Sequence, residues 1–331
     1  MTHLTRRLFL RSSATAALLA APAFVRPAQA QVTTITVASL LGEDKPETKI
    51  WRRIAETVEA RLPGRFRFNV VANGALGGEK EVAEGTRLGS VQASLATMSS
   101  LSGWVPETQI LDLPFLYRDA DHLRRVVEGP VGEDLKQRLA AQNFVVGGFI
   151  DYGARHLLTK APVTEPGQMR GMKMRVIQSP LHTRLWSAYG AIPVGIPITE
   201  TYNALSTGVT DAMDLTKSAY AGFRLFEVVP YLSETAHIRA CGVVYFAAGF
   251  WSQLSEAERQ VLREASAEGA TYFNRLIVED EAASVRQAVA GGGSILKVDA
   301  REAWERGAEI VWRDLADVVG GWDRIMGVQQ A

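Results

Sequence analysis

The sequence has very few of the side chains on which catalytic and metal sites are usually built. It contains one cysteine, Cys241, and five histidines among 331 residues. One cysteine excludes an intramolecular disulfide, and its apolar surroundings predict a buried, unreactive thiol. The histidines are too scattered to form a zinc site on one helix. There is no G-x-S-x-G elbow and no Walker loop, and the glycines of Asn73–Gly78 lack dinucleotide-binding spacing. The residues therefore give little support for nucleophilic, metal-assisted or cofactor-dependent catalysis.

The chain also lacks a net charge and a long apolar run. Lys plus Arg and Asp plus Glu both number 36. The first 30 residues carry four arginines and no acid, so the remainder has 32 basic and 36 acidic residues, a net charge of −4. A mildly acidic protein gives no support for nucleic-acid binding. No window is long and apolar enough to span a bilayer.

Residues 1–30 have the pattern of an export signal. Paired arginines precede a short apolar segment, Ser12–Val25, and Ala28–Ala30 forms a small-x-small cleavage site. The arginine pair followed by Phe and Leu resembles a twin-arginine signal, although an ordinary secretory signal with two chance arginines stays open. The mature chain is expected to begin near Gln31, in the periplasm.

After this signal, strand and helix patterns alternate, which is typical of a sheet flanked by helices. Ile50, Ile54 and Val58 share one helical stripe, whereas apolar residues alternate in Arg65–Val71 as in a half-exposed strand. The main predicted strands are 35–40, 65–71, 90–97, 173–177, 209–213 and 243–250, and the main predicted helices are 44–62, 79–88, 180–189 and 199–208. The fold class is therefore predicted to be α/β.

The length and one long helix indicate two domains. Ser255–Glu258 is a capping box that opens a helix reaching about Ala290. Such a helix is about 50 Å long and is expected to span both domains. Because no flexible linker separates the domains, strands are expected to cross between them, which permits hinge closure. Domain I is predicted to comprise residues 31–152 plus about 241–280, and domain II residues 153–240 plus about 281–325.

Several linked sequence blocks occur in the order and spacing of a known family. They are Gly74–Glu79 (G-x-L-G-x-E), Pro106-Glu107, Asp112–Tyr117, Tyr152–Val163, Met169–Val176 and Pro197–Asp214. Through these blocks the chain resembles the solute-binding proteins of tripartite ATP-independent periplasmic (TRAP) transporters, the DctP family. The resemblance covers nearly all of residues 31–325.

The resemblance implies a two-domain periplasmic-binding fold that closes like a clamshell on an organic acid. The acid would then pass to the small and large TRAP membrane subunits. The resemblance implies no enzyme activity, no cofactor and no nucleic-acid partner, and a monomer is expected because most relatives are monomers. Two alternatives stay open, namely an exported enzyme on the same scaffold and the binding protein of an ABC importer.

The resemblance also implies a role for two arginines. Arg175, in the G-x-K-x-R block, matches the family arginine that forms a two-pronged salt bridge with the ligand carboxylate, a geometry that suits a guanidinium. Arg155 matches a second family arginine that contacts the carboxylate or a nearby hydroxyl. From the residues alone, pairing of Arg175 with a protein carboxylate such as Asp214 is the favoured alternative, and Arg155 could lie on an exposed edge strand.

Four further residues are candidate ligand contacts. Leu215 stands where many sugar-acid binders have an Asn, which argues against sialic acid. Asp214 replaces the usual Glu and could bind a ligand hydroxyl, help to hold a metal ion, or cap the next helix. Glu79 is expected at a helix N-terminus that faces the cleft, either as a ligand contact or as a cap. Ser99 is a further candidate contact. Sugar acids, C4-dicarboxylates, 2-oxo acids and aromatic acids all remain candidate ligands.

Overall fold

A single mixed β-sheet organises the part of the chain that the computed structural model describes, residues 32–299 and 301–331. The predicted export signal at residues 1–30 lies outside the described residues. None of the described helices is both long and apolar enough to cross a membrane. The strands are β1 (Thr33–Ala38), β2 (Phe66–Val71), β3 (Ala93–Thr97), β4 (Phe144–Thr159), β5 (Lys173–Val176), β6 (Ile192–Gly195), β7 (Ala212–Thr216), β8 (Tyr231–Ala247) and β9 (Ser294–Leu296).

Helices cover both faces of this sheet. They are α1 (Pro46–Arg61), α2 (Glu79–Arg87), α3 (Ala120–Glu128), α4 (Pro130–Ala141), α5 (Pro180–Ala188), α6 (Ile198–Ser206), α7 (Lys217–Gly222), α8 (Ala248–Ser252), α9 (Glu256–Ala290), α10 (Arg301–Leu315) and α11 (Trp322–Gln330). Short 3₁₀ turns lie at Met98–Leu101, Pro106–Asp112, Pro166–Met169 and Leu225–Glu227.

Two long strands join two groups of parallel strands. The order in the sheet is β2-β1-β3-β8-β4-β7-β5-β6, with β9 beside β8. β1 pairs in parallel with β2 and β3, and β5 pairs in parallel with β6 and β7. β4 and β8 are antiparallel to each other; β8 reaches β3 at one end, and β4 reaches β7 at the other. The crossing strands expected from the sequence are therefore present.

β4 is irregular midway along its length, and bulge-like irregularities of this kind bend a strand. Its register with β8 breaks at three places, one of them between Asp151 and Ala154. At this break Gly153 has φ +88°, and a Cβ there would overlap the carboxylate of Glu281 on α9. Only glycine adopts this backbone without strain. The bend lies where β4 passes from one group of parallel strands to the other.

The second half of β8, residues 241–247, is buried on both faces. Tyr245 packs edge-on against Phe144 in one core, and the next residue, Phe246, packs edge-on against Trp51 in the other. Because side chains alternate along a strand, a strand covered on both faces is apolar throughout. This explains the apolar run around Cys241, whose thiol is fully buried and has its pKa raised by that burial.

The long helix, α9, has the predicted bounds. The hydroxyl of Ser255 accepts a hydrogen bond from the backbone N–H of Glu258 at 3.3 Å, and the Glu258 carboxylate accepts one from the N–H of Ser255 at 2.7 Å. α9 packs closely on α1 because Gly269 has no side chain; a Cβ there would lie 2.7 Å from Cγ1 of Ile54. The predicted capping box is therefore formed.

Two predicted strands differ from the observed strands, one in its start and the other in its length. β7 begins at Ala212 rather than at Val209, which lies exposed in the turn after α6. β8 begins at Tyr231, a dozen residues before the predicted start, because its first half carries polar residues such as Thr235 and His237 that are buried with hydrogen-bond partners. Such residues give no apolar periodicity. Helices α3, α8 and α11 were not predicted, and the predicted strand 243–250 ran into α8.

Candidate functional site

The two groups of parallel strands point their C-terminal ends at each other. Thr97, the last residue of β3, pairs with Gly242 of β8, which lies opposite Ile150 of β4. Thr216, the last residue of β7, pairs with Arg155 of β4. Only the bend of β4 separates these strand ends. Ligands of open α/β sheets bind outside the carboxyl ends of the strands, so this is the candidate site.

A cavity lies at this meeting point. Its lining comprises Leu40, Leu41, Glu47, Glu79, Thr97, Tyr152, Arg155, Arg175, Ile177, Ile198, Leu215, Thr216, Ala219, Phe223 and Ala240. An adjoining hollow shares part of this lining, including Glu79 and Arg175. A larger and more open hollow lies between α1 and α9, and none of the predicted site residues lines it.

Arg175 is a buried cation without a protein anion. Its side chain is 3% exposed, and Nε donates a hydrogen bond to the carbonyl oxygen of Ile196 at 2.8 Å. Among the described residues, its two terminal nitrogens have no hydrogen-bond partner, and no carboxylate oxygen lies within 4.0 Å. Burial and the nearby charge of Arg155 lower the pKa of Arg175 to about 10. The predicted alternative, in which Arg175 pairs with Asp214, is therefore wrong.

Arg155, not Arg175, pairs with Asp214. Its Nε lies 2.5 Å from Oδ2 of Asp214, and Nη2 donates to the backbone carbonyl of the same residue at 2.7 Å. Burial would lower the pKa of Arg155, but the charge and hydrogen bond of Asp214 raise it. Because β4 lies between β7 and β8, the alternative of an exposed edge strand is also wrong.

The strand register explains which arginine reaches Asp214. Arg175 pairs with Met213 in the parallel ladder, so its side chain and that of Asp214 leave opposite faces of the sheet. Arg155 pairs with Thr216, two residues from Asp214, and therefore shares a face with it.

Asp214 lies behind the cavity and does not line it. Burial would raise its pKa, but Arg155 and His237 hold it well below its usual range. Nε2 of His237 lies 3.2 Å from Oδ2 of Asp214. The N-cap of α7 is Thr216, so the helix-capping alternative for Asp214 is wrong. Within residues 32–299 and 301–331, no group of three or more His, Cys, Asp or Glu side chains could hold a metal ion.

A row of buried polar side chains extends beyond Asp214. Nδ1 of His182 lies 3.9 Å from Oδ2 of Asp214, and Nε2 lies 3.2 Å from the hydroxyl of Ser99. The order resembles that of a nucleophile, a base and an acid. However, Ser99 and His182 are fully buried, and the Ser99 hydroxyl is hydrogen-bonded to Asp112. Ser99 therefore does not line the cavity, and no substrate can reach it in this arrangement.

Two carboxyl groups line the cavity. Glu79 is the first residue of α2, and its Oε1 accepts a hydrogen bond from the N–H of Thr97 at 2.6 Å; burial still raises its pKa. Glu47, in the first turn of α1, is 5% exposed, and its Oε2 is buried without a hydrogen bond to any described residue. Burial raises the pKa of Glu47 to about 7. Nothing in the sequence distinguishes Glu47 from an ordinary acid in a first helical turn.

The remaining wall of the cavity is mostly apolar. Leu215 lines it and is 7% exposed, together with Leu40, Leu41, Ile177 and Phe223. In the sequence these residues look like core residues, since an apolar side chain after a strand predicts burial rather than a ligand contact. They line a cavity only because the fold brings together the loops that follow several strands.

Residues 37–317 match the DctP family, bacterial extracellular solute-binding protein, family 7. The chain belongs to this family. It is 30% identical over 301 residues to the C4-dicarboxylate-binding periplasmic protein DctP of Rhodobacter capsulatus, which covers 89% of this chain and 90% of that protein.

Solved structures of TRAP periplasmic solute-binding proteins are also similar to this chain. One from Bradyrhizobium, in complex with α/β-D-galacturonate, is 28% identical, with a TM-score of 0.86, and covers 90% of this chain and 100% of that chain. One from Shewanella oneidensis, with bound succinate, is 25% identical, with a TM-score of 0.86, and covers 90% of this chain and 98% of that chain. The predicted α/β two-domain periplasmic-binding fold and the predicted solute-binding class are confirmed.

Proposed function

We propose that this protein captures an organic acid in the periplasm and that Arg175 holds the carboxylate of that acid. The observation that carries the proposal is a buried guanidinium that faces a cavity and has no protein anion beside it. An unpaired buried charge is unfavourable, so a structural role alone does not account for it. A ligand carboxylate would remove this penalty by forming two parallel hydrogen bonds with the free terminal nitrogens.

The proposed mechanism is closure of two lobes about the bend in β4. The predicted division, with residues 31–152 and about 241–280 in one lobe, is supported by the register break at Gly153. Glu47 and Glu79 would approach the ligand from this lobe, and Arg175 and Leu215 from the other. Because contacts to both lobes exist only when they are closed, ligand binding would favour the closed form.

Arg155 is proposed to position the site rather than to neutralise the ligand. Its guanidinium lines the cavity, but its charge is already compensated by Asp214. The pair would hold Arg155 fixed at the cavity that Arg175 also lines, so that a ligand oxygen could meet a preorganised donor. The contact roles of Glu79, Leu215, Ser99 and Asp214 predicted from the sequence stay predictions, and the buried positions of Ser99 and Asp214 favour support of the site over direct contact.

Delivery of the acid to the small and large TRAP membrane subunits, and export by the predicted signal, are also part of the proposal. The TRAP descriptions of the similar solved structures support this route over an ABC importer. The exported-enzyme alternative is disfavoured because the row formed by Ser99, His182 and Asp214 is sealed from the cavity. An enzyme would convert the acid, whereas a binding protein would release it unchanged, and mass spectrometry distinguishes these results.

The test is a thermal-shift screen of the purified protein against sugar acids, dicarboxylates, 2-oxo acids and aromatic acids, with and without calcium. The protein is first unfolded and refolded, and the released solution is analysed for a co-purified acid. A ligand that binds only the folded state raises the melting temperature. Arg175→Ala and Arg175→Lys are expected to weaken binding of the hit by at least about a hundredfold, since one partner of a buried charged pair is lost.

The matched control is Arg184→Ala, because Arg184 is an exposed arginine that pairs with Asp314 outside the cavity. It should leave the affinity unchanged. Equal affinities of the Arg175 variants and the unaltered protein would refute the carboxylate-binding role.

A further inference from the structure

We propose that the ligand is a small monocarboxylic acid with an apolar body and a hydroxyl group, rather than a dicarboxylate or a fully hydroxylated sugar acid. This inference rests on the proposed carboxylate-binding role of Arg175. It follows from three properties of the cavity: its charges, the composition of its wall, and one buried carboxyl oxygen without a hydrogen bond.

The charged residues of the lining can neutralise one ligand carboxylate. The charged lining residues are Glu47, Glu79, Arg155 and Arg175, and the charge of Arg155 is compensated by Asp214. Arg175 is therefore the one cation of the described lining that still lacks an anion. A second ligand carboxylate would find no cation there and would lie near Glu47 or Glu79. A carboxylate that loses its water and gains no cation is unfavourable in a desolvated site, so the lining discriminates against dicarboxylates.

The wall of the cavity discriminates against a fully hydroxylated ligand. Leucine and isoleucine side chains project from the loop after β1 (Leu40 and Leu41), from the residue after β5 (Ile177) and from β7 (Leu215), and Phe223 closes the side near α7. A hydroxyl group placed against such a surface loses its water and gains no partner. An apolar ligand body gains from the same contact. The wall therefore selects a branched aliphatic or aromatic body.

Glu47 provides the place for one hydroxyl group. It is 5% exposed, and its Oε2 is buried without a hydrogen bond to a described residue. A buried carboxyl oxygen without a partner is unfavourable in a folded protein, and a ligand hydroxyl would satisfy it. Glu79 differs because its Oε1 already accepts a hydrogen bond from the N–H of Thr97.

The test compares matched acids by isothermal titration calorimetry on the ligand-free protein. The probes are 2-hydroxy-4-methylpentanoate, 4-methylpentanoate without the hydroxyl, D-galacturonate and succinate. The branched hydroxy acid is expected to bind at least tenfold more tightly than galacturonate or succinate. Removing its hydroxyl should weaken binding about tenfold in the unaltered protein, but not in Glu47→Leu, which lacks the acceptor at similar volume.

The possible outcomes separate this inference from the proposed function. Tighter binding of galacturonate or succinate would overturn the inference and leave the role of Arg175 intact. No binding of any acid to the ligand-free protein would overturn both. Leu215→Asn, which adds a hydrogen-bonding group to the wall, should shift the affinity ratio at least tenfold towards galacturonate; an unchanged ratio would refute the role given to the wall.

Discussion

Removing the charge of Arg175 and removing the charge of Arg155 should change the stability of the ligand-free protein in opposite directions. Burial and the charge of Arg155 lower the pKa of Arg175 from its ordinary value to about 10, and this side chain is protonated in both folded and unfolded states at neutral pH. The folded state binds that proton more weakly, so the charge lowers the stability of the folded state. Since one pKa unit corresponds to about 1.4 kcal/mol, this penalty is about 3 kcal/mol.

The substitution Arg175→Met removes the charge and keeps a long unbranched side chain. It also removes the hydrogen bond from Nε to the Ile196 carbonyl, which is worth about 1.5–3 kcal/mol for a charged donor. The net change in the free energy of unfolding is therefore expected to lie between no change and a gain of about 2 kcal/mol.

Arg155→Met should instead destabilise the protein. It leaves Asp214 buried without its guanidinium, and breaking a buried ion pair by removing one partner costs about 3–5 kcal/mol. The melting temperature should fall by roughly 10 °C. Replacing both partners, Arg155→Met with Asp214→Leu, should recover most of this loss because no unpaired charge remains.

Urea unfolding of ligand-free protein measures these changes, with Arg184→Met as the exposed control. Ligand must be removed first, since a bound acid would stabilise the unaltered protein and hide the penalty. Equal destabilisation by Arg175→Met and Arg155→Met would refute the reasoning, because it would mean that both arginines hold the fold together.

Three further predictions concern single positions. Glu47→Gln should add stability that grows from pH 4.5 to a plateau of about 3 kcal/mol above pH 7, since the raised pKa of Glu47 means that ionisation disfavours the folded state there. Urea midpoints near pH 5 and pH 8 test this, and equal gains would contradict it. Gly153→Ala should lower the melting temperature because its Cβ meets Glu281 at a positive φ, whereas Gly167→Ala, with open space around it, should not. Ser255→Ala should cost about 1 kcal/mol in urea unfolding by removing the cap of α9, and an unchanged midpoint would refute that role.

Local signals predicted most elements of the fold. The capping box at Ser255 placed the start of α9, and the alternation in Arg65–Val71 placed β2, because both depend on residues adjacent in sequence. The start of β7 and the length of β8 were predicted wrongly because they do not depend on residues adjacent in sequence. Val209 is apolar but lies in a turn, and His237 is polar but lies in a buried strand, so tertiary contacts override the local pattern there.

Some residues of the site could be predicted from the sequence and others could not. The sequence blocks of the DctP family identified Arg175 and Glu79, and both line the cavity. Glu47 and Leu41 were missed because an acid in a first helical turn and an apolar residue after a strand have common structural explanations.

The sequence by itself determined the α/β class, the long capped helix and the family to which the chain belongs. Only the tertiary structure decided which arginine is neutralised. Asp214 lies 59 residues from Arg155 in sequence but shares a sheet face with it, whereas the parallel register turns Arg175 to the other face. The tertiary structure also decides which residues line the cavity, because loops distant in sequence meet only where β4 and β8 bring the strand ends together. Strand register is a long-range property, and no local pattern of residues encodes it.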